Sequence, residues 1–88
     1  MKQWKNMNFN DRVNSLIGNF YELNLIKPNE LWLGHYEVIQ LENFINENSP
    51  NLKEPIRINY EDKFEFIGLK VRFVNKINYF SVEYNQYY

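Results

Sequence analysis

The chain has 88 residues and a formal net charge of -1, and it contains one histidine and no cysteine. This length predicts a single domain, residues 1–88, with a modest hydrophobic core. The charge gives no overall attraction to nucleic acid or to a membrane surface. The lack of cysteine excludes a disulfide framework, a thiolate nucleophile and a zinc-finger spacing.

The composition also carries information about the source of the gene. Asparagine occurs fifteen times, whereas alanine and threonine do not occur. The abundant residues have AT-rich codons and alanine has GC-rich codons, which indicates an AT-rich genome such as that of a low-GC bacterium, a phage or an organelle. No segment approaches the roughly 20 apolar residues that span a bilayer, and the first residues form no signal peptide. We therefore expect a soluble, cytoplasmic protein with no membrane association.

The first predicted element is a helix that begins after Asn8 and ends near Leu25–Ile26. Asn8 is the expected N-cap, with Asp11 three residues on where an acid favours the helix dipole. Gly18 inside the helix costs about 1 kcal/mol relative to alanine, which suggests a close approach to another element. One helical face carries the apolar residues Phe9, Val13, Leu16, Ile17, Phe20 and Leu23.

A short apolar run follows this helix and predicts a buried strand at residues 30–34. A second helix is predicted directly after it, over residues 35–48, from an apolar stripe that comprises Val38, Leu41, Phe44 and Ile45. Residues 46–55 contain Asn, Ser and two prolines and form the predicted loop that leads into a sheet.

Three further strands are predicted over residues 56–60, 64–74 and 79–84, because apolar and polar residues alternate there. The middle strand changes parity between Phe66 and Leu69, so we expect a β-bulge at Ile67–Gly68. Residues 75–78 form a predicted hairpin loop. The predicted fold is α+β, a two-layer sandwich with two helices on a three- to four-stranded, mainly antiparallel sheet. Its element order is α-β-α-β-β-β.

No group of residues predicts catalysis, and we expect neither an enzyme nor a cofactor. His35 has only Glu37 near it as a second metal ligand, so no metal site is predicted. The three serines lack the sequence context of a nucleophile, and the three isolated glycines cannot form a phosphate-binding loop. The adjacent acids Glu61 and Asp62 fall in a turn and are expected to be solvated.

Two kinds of binding surface follow from the residues. Aromatic side chains exceed what so small a core can bury, which favours a protein interface formed by Trp32, Tyr36, Tyr79, Tyr87 and Tyr88. The alternative is a nucleic-acid-binding sheet face that uses Arg57, Lys70 and Arg72, although acidic residues share that face or its rim. Without the bulge, Phe64 and Phe66 would turn outward and favour this alternative.

One arrangement of motifs resembles a known group of proteins. The run Lys27-Pro28-Asn29-Glu30-Leu31-Trp32-Leu33 precedes a helix, and Phe66-Ile67-Gly68-Leu69-Lys70-Val71 follows later. Over residues 27–74 this layout is similar to small phage and prophage proteins, including virion components, although Gly34 and His35 stand where small polar capping residues are usual. The resemblance implies a non-enzymatic virion accessory component or self-associating module, located in the host cytoplasm or the virion. An inhibitor of a host enzyme or defence system is the alternative.

Overall fold

The computed structural model describes residues 7–49, 54–59 and 63–86. Its elements are α1 (Phe9–Asn24), β1 (Glu30–Leu33), α2 (His35–Glu47), β2 (Glu65–Phe66), β3 (Leu69–Phe73) and β4 (Phe80–Glu83). The order α-β-α-β-β-β confirms the predicted α+β fold. The four strands form one sheet in the spatial order β2-β3-β1-β4.

The sheet is mixed, and the prediction of a mainly antiparallel sheet is wrong in this respect. β1 lies between β3 and β4, pairing parallel with β3 and antiparallel with β4. The prediction placed the last strands side by side as a meander. Instead, α2 provides the crossover that a parallel β1–β3 pair requires, and β4 returns to the other side of β1.

The core lies between the sheet and the two helices. Burial alternates along β1, where Leu31 and Leu33 are fully buried. This alternation places one face of the sheet against the helices, since successive side chains of a strand point to opposite faces. The other buried apolar residues of the core are Phe9, Val13, Val38, Leu41, Leu69, Val71 and Val82.

The predicted strand over residues 64–74 is two strands joined by a tight turn, so the predicted bulge is wrong. Ile67 and Gly68 both have positive φ, 54° and 75°, as the two central residues of a type I′ hairpin do. Phe66 pairs with Leu69 across this turn. The apolar residues therefore change from even to odd positions because the chain reverses direction at this turn. Phe64 and Phe66 still pack against the core, so they do not form the outward aromatic patch considered above.

No strand forms among residues 54–59. The strand predicted over residues 56–60 is therefore wrong for residues 56–59, and Tyr60 lies outside the described residues. Side chains of α2 hold this segment instead. Asn46 Oδ1 accepts from Ile56 N at 2.7 Å, and its Nδ2 donates to Ile56 O at 3.2 Å. Glu42 Oε2 accepts from Ile58 N at 2.6 Å. The apolar alternation reflects packing of Ile58 on the core, without a neighbouring strand.

The ends of α1 follow the sequence closely. Asn8 is the N-cap as predicted, and its Oδ1 accepts from Asp11 N at 2.8 Å. Leu25 ends the helix in the left-handed conformation. The prediction for Gly18 is wrong, because a Cβ built there meets nothing within 4 Å. Neither helix of the described residues is long and apolar enough to cross a membrane.

Backbone carbonyls cap the N-terminus of α2 in place of a side chain. The carbonyls come from the segment after β3, which crosses the end of β1. Three hydrogen bonds form this cap: Gly34 N to Tyr79 O at 2.8 Å, His35 N to Lys76 O at 2.8 Å and Tyr36 N to Ile77 O at 2.9 Å. They satisfy N–H groups that have no partner within a helix. The buried Glu37 also accepts from Tyr79 N at 2.9 Å.

Glycine is required at position 34 because this segment packs directly on it. A Cβ on Gly34 would lie 2.7 Å from Lys76 O and 2.7 Å from Tyr79 N, both backbone atoms. A small polar capping side chain would not fit in this space. The departure from the usual capping pattern at this position is therefore explained by the backbone cap.

Candidate functional site

The face of the sheet opposite the helices is called the open face here. Strand alternation places on it Glu30 and Trp32 of β1, Lys70 and Arg72 of β3, Ser81 and Glu83 of β4, and Glu65 of β2. The register sets Trp32 between Arg72 and Ser81. Trp32 therefore lies on the central strand with a neighbouring strand on each side.

Glu30 is the most unusual residue of the open face. It is only 1% exposed, although it lies on the side of the sheet that the helices do not cover. Its Oε1 accepts from Trp32 Nε1 at 3.0 Å, and its Oε2 accepts from Arg72 Nε at 2.9 Å and from Asn85 Nδ2 at 3.2 Å. One carboxylate thus joins side chains from β1, from β3 and from the residues that follow β4.

These hydrogen bonds determine the charge state of Glu30. Burial by itself would raise the pKa of Glu30, but the hydrogen bonds from Trp32, Arg72 and Asn85 outweigh it, and the pKa lies below its ordinary value of 4.5. The carboxylate is therefore ionised at neutral pH. It neutralises Arg72 and fixes the indole of Trp32 in one orientation.

Trp32 forms an aromatic platform with Tyr79. The two ring centroids are 6.4 Å apart with an interplanar angle of 37°, and Lys76 Nζ lies 5.3 Å from the centroid of the Tyr79 ring. Both aromatic residues are half-buried. Each ring therefore keeps part of its surface accessible while its position is set by neighbouring groups.

Two surface cavities lie beside Trp32 on the open face. The first, about 450 Å³, extends from Trp32 towards Glu83 and Tyr84. The second, about 370 Å³, extends from Trp32 towards Arg72. Both are lined by Glu30, Trp32 and Asn85, so Trp32 borders both cavities.

The structure brings together only some of the aromatic residues predicted as interface. Trp32 and Tyr79 share the platform. Tyr36, which is 52% exposed, lies apart from them in the first turn of α2 and lines a groove with Phe9 and Phe44 of the helical layer. Tyr87 and Tyr88 lie outside the described residues.

The three predicted basic residues do not form one cluster. Lys70 and Arg72 lie on the open face, whereas Arg57 is on the segment that α2 holds in the helical layer. Arg72 forms an ion pair with Glu30. Lys70 is directly opposite Glu65 and Glu30 in the strand register. Acidic neighbours thus offset both basic residues of the open face.

Sequence reasoning missed Glu30 and Asn85 as parts of the site. The available signal was Glu30 itself, an acid at the start of a strand that was predicted to be buried. Asn85 is held in place by Asn29, which accepts from Asn85 N at 2.8 Å and donates to Asn85 O at 2.8 Å. This pairing joins residues 56 positions apart and leaves no local pattern.

Within residues 7–49, 54–59 and 63–86, no three histidine or carboxylate side chains gather to hold a metal ion. Comparisons with protein-family models, curated proteins and solved structures find no match. The phage origin and the functions that follow from it stay predictions.

Proposed function

We propose that the chain is a protein-binding module that contacts its partner through the aromatic platform of the open face. The observation that carries this proposal is the fixed position of Trp32. Its indole N–H donates to Glu30, and its ring lies beside the ring of Tyr79. Tryptophan and tyrosine are enriched among the few residues that supply most of the binding energy of protein interfaces. A side chain that is already held in position loses little further entropy on binding.

The charge of the open face supports a protein partner over nucleic acid. Lys70 lies opposite Glu30 and Glu65 in the strand register, and Arg72 forms an ion pair with Glu30. Nucleic-acid affinity depends on cations that neutralise phosphates, and it requires an excess of positive charge at the contact. A face of mixed charge instead suits a partner with complementary charges around an apolar centre.

Two biological settings fit a non-enzymatic protein of this kind. One is a virion accessory component or a self-associating module, in the host cytoplasm or in the virion. The alternative is a phage-encoded inhibitor of a host enzyme or defence system. Both would use the same aromatic contact, and the resemblance over residues 27–74 supports a phage setting. Nucleic-acid binding through Lys70 and Arg72, with or without Arg57, remains the third possibility.

The test compares Tyr79, a half-buried tyrosine of the open face, with Tyr36, an exposed tyrosine of the helical layer. A partner is captured from the producing cells with the wild-type chain and purified, and its affinity is measured by calorimetry. We expect Tyr79→Ala to weaken binding at least tenfold, about 1.4 kcal/mol, and Tyr36→Ala to change it less than twofold. Equal affinity of Tyr79→Ala and wild type would refute the proposed surface.

The nucleic-acid alternative has its own measurement. Retention on single- or double-stranded nucleic acid at low salt would support it, provided that affinity falls steeply with salt. Loss of this retention in Lys70→Glu, with no effect of Tyr79→Ala, would favour that function over the protein-binding proposal.

A further inference from the structure

The first of the two cavities beside Trp32 carries an excess of negative charge. Its volume is about 450 Å³, within the roughly 300–1,000 Å³ of typical ligand pockets, and it is open to solvent. Among the described residues, its lining consists of two acids, two aromatic residues and two amides, with no lysine or arginine: Glu30, Glu83, Trp32, Tyr84, Asn85 and Gln86. A group of another molecule can enter this space.

The two acids of this cavity differ in how their charges are compensated. Glu30 forms an ion pair with Arg72, which lines the second cavity. Glu83 is half-buried and forms no ion pair within residues 7–49, 54–59 and 63–86, and its Oε2 accepts from Ser81 Oγ at 2.8 Å. Glu83 is directly opposite Glu30 in the strand register, and like charges in such positions are destabilising. A cation from a second molecule would relieve this repulsion.

The aromatic residues of the cavity also favour a cation. Tryptophan is the side chain whose ring face attracts cations most strongly. In the described part of the chain, Lys76 lies over the ring of Tyr79, but no lysine or arginine lies over the ring of Trp32. Tyr84 is 45% exposed, so it is accessible to a ligand. A cation in this cavity would therefore lie near one uncompensated carboxylate and two aromatic rings.

The hydrogen-bond acceptors of the cavity favour an organic cation over a metal ion. Both carboxylate oxygens of Glu30 already accept hydrogen bonds, from Trp32, Arg72 and Asn85. A metal ion needs several oxygen ligands, and Glu83 alone cannot supply them. A guanidinium is weakly hydrated, stacks on aromatic rings and donates to carboxylates, whereas the ammonium of lysine is strongly hydrated. The cavity therefore suits arginine better than lysine.

We propose that this cavity receives an arginine side chain of the protein partner. Glu83 is the counter-ion, and the guanidinium packs against Trp32 and Tyr84. This inference rests on the proposed function, because the cavity adjoins the aromatic platform, and it specifies the chemistry of the partner. Arginine is itself enriched among the residues that supply most of the binding energy of interfaces.

The first test uses Nα-acetyl-arginine amide as a probe with the purified chain. The indole N–H resonance of Trp32 is followed in ¹H–¹⁵N correlation spectra at constant ionic strength, and Trp4→Phe assigns it. We expect a saturable shift with a dissociation constant on the order of 1–30 mM. The citrulline analogue, which has nearly the same shape without the charge, should bind at least about fivefold more weakly.

The lysine analogue should also bind more weakly than the arginine probe. Absence of a saturable shift up to about 200 mM probe would overturn the proposal. Equal or tighter binding of either comparison probe would overturn it as well.

The second test removes the charge of Glu83 in the complex with the captured partner. Glu83→Gln keeps the shape and an acceptor oxygen for Ser81 Oγ, so this variant should melt no lower than wild type. We expect it to weaken partner binding by about five- to twentyfold. Glu65→Gln is the matched control, because Glu65 lies on the open face but on the edge strand β2. It should change the affinity less than about twofold.

A double-mutant cycle identifies the arginine of the partner. Each surface arginine of the captured partner is changed to glutamine, and its affinity is measured with wild type and with Glu83→Gln. One of these changes should weaken binding to wild type but have little further effect on binding to Glu83→Gln, because the two groups interact directly. Equal affinity of Glu83→Gln and wild type, or additive effects for every arginine, would overturn the inference.

This inference and the proposed function can fail separately. If Tyr79→Ala weakens partner binding and Glu83→Gln does not, the proposed surface is supported and the arginine pocket is overturned. If Glu83→Gln weakens binding and is coupled to one arginine of the partner, while Tyr79→Ala has no effect, the arginine pocket is supported and the role of the aromatic platform is refuted.

Discussion

Substitution of Gly34 by alanine tests the packing that joins α2 to the segment before β4. The added Cβ would lie 2.7 Å from the backbone atoms Lys76 O and Tyr79 N, and 3.0 Å from Glu37 Oε1. Gly34 has φ -81° and ψ -176°, an extended conformation that alanine adopts without strain. The effect of the substitution is therefore almost entirely steric.

The size of this effect follows from the contacts. The segment must move by several tenths of an ångström, and overpacking of this kind costs about 1–3 kcal/mol. The movement also weakens the three backbone hydrogen bonds at the N-terminus of α2 and the bond from Tyr79 N to Glu37, each worth about 1 kcal/mol. The lower entropy of the unfolded alanine chain returns at most about 1 kcal/mol. We expect a net loss of about 2–4 kcal/mol.

Urea unfolding followed by far-UV circular dichroism measures this loss, with a fall in Tm of about 10–25 °C as a second readout. Gly18→Ala is the matched control, since a Cβ there meets nothing within 4 Å and the position is inside α1. It should raise the free energy of unfolding by up to about 1 kcal/mol. If Gly34→Ala were as stable as wild type, the proposed packing of residues 76–79 on α2 would be wrong.

Three other substitutions should each change the stability of the fold in a predicted direction. Ile67→Asn should raise the free energy of unfolding by about 0.5–1 kcal/mol, because a β-branched residue is strained at φ 54° in the hairpin turn; chemical denaturation checks this. Leu25→Asn should raise Tm by several degrees, because asparagine tolerates the left-handed conformation at the C-cap of α1 better than leucine does. Glu30→Gln should lose about 2 kcal/mol at pH 7, because Arg72 loses its charged partner. The lowered pKa of Glu30 means that its carboxylate stabilises the fold above the ordinary value of 4.5, and that this stability disappears as the pH falls through the folded-state pKa. Wild type should therefore lose more stability than Glu30→Gln between pH 5 and pH 3, and parallel curves would contradict this assignment.

Long periodic patterns and local capping signals made the helices predictable. The stripe of α1 and the cap at Asn8 involve residues three or four positions apart, so the sequence contains the information directly. The sheet was less predictable, because the alternation of apolar and polar residues indicates which side chains are buried but does not identify the neighbouring strand. Ile56 and Ile58 alternate as in a strand, but side chains of α2 satisfy their backbone groups.

The candidate site depends on the strand order, which no local pattern contains. Had β4 paired with β3 as in a meander, β1 would have lain at an edge, and Glu30 could not have received donors from both neighbouring strands. The parallel pairing with β3 brings Arg72 to Glu30, and the antiparallel pairing with β4 brings Asn85 to the same carboxylate. Because these donors hold Glu30, and Glu30 accepts from the indole of Trp32, the placement of β1 between β3 and β4 determines how this half-buried tryptophan is held beside the two cavities. The aromatic residues were visible in the sequence, but the order of the strands determines which of them act together.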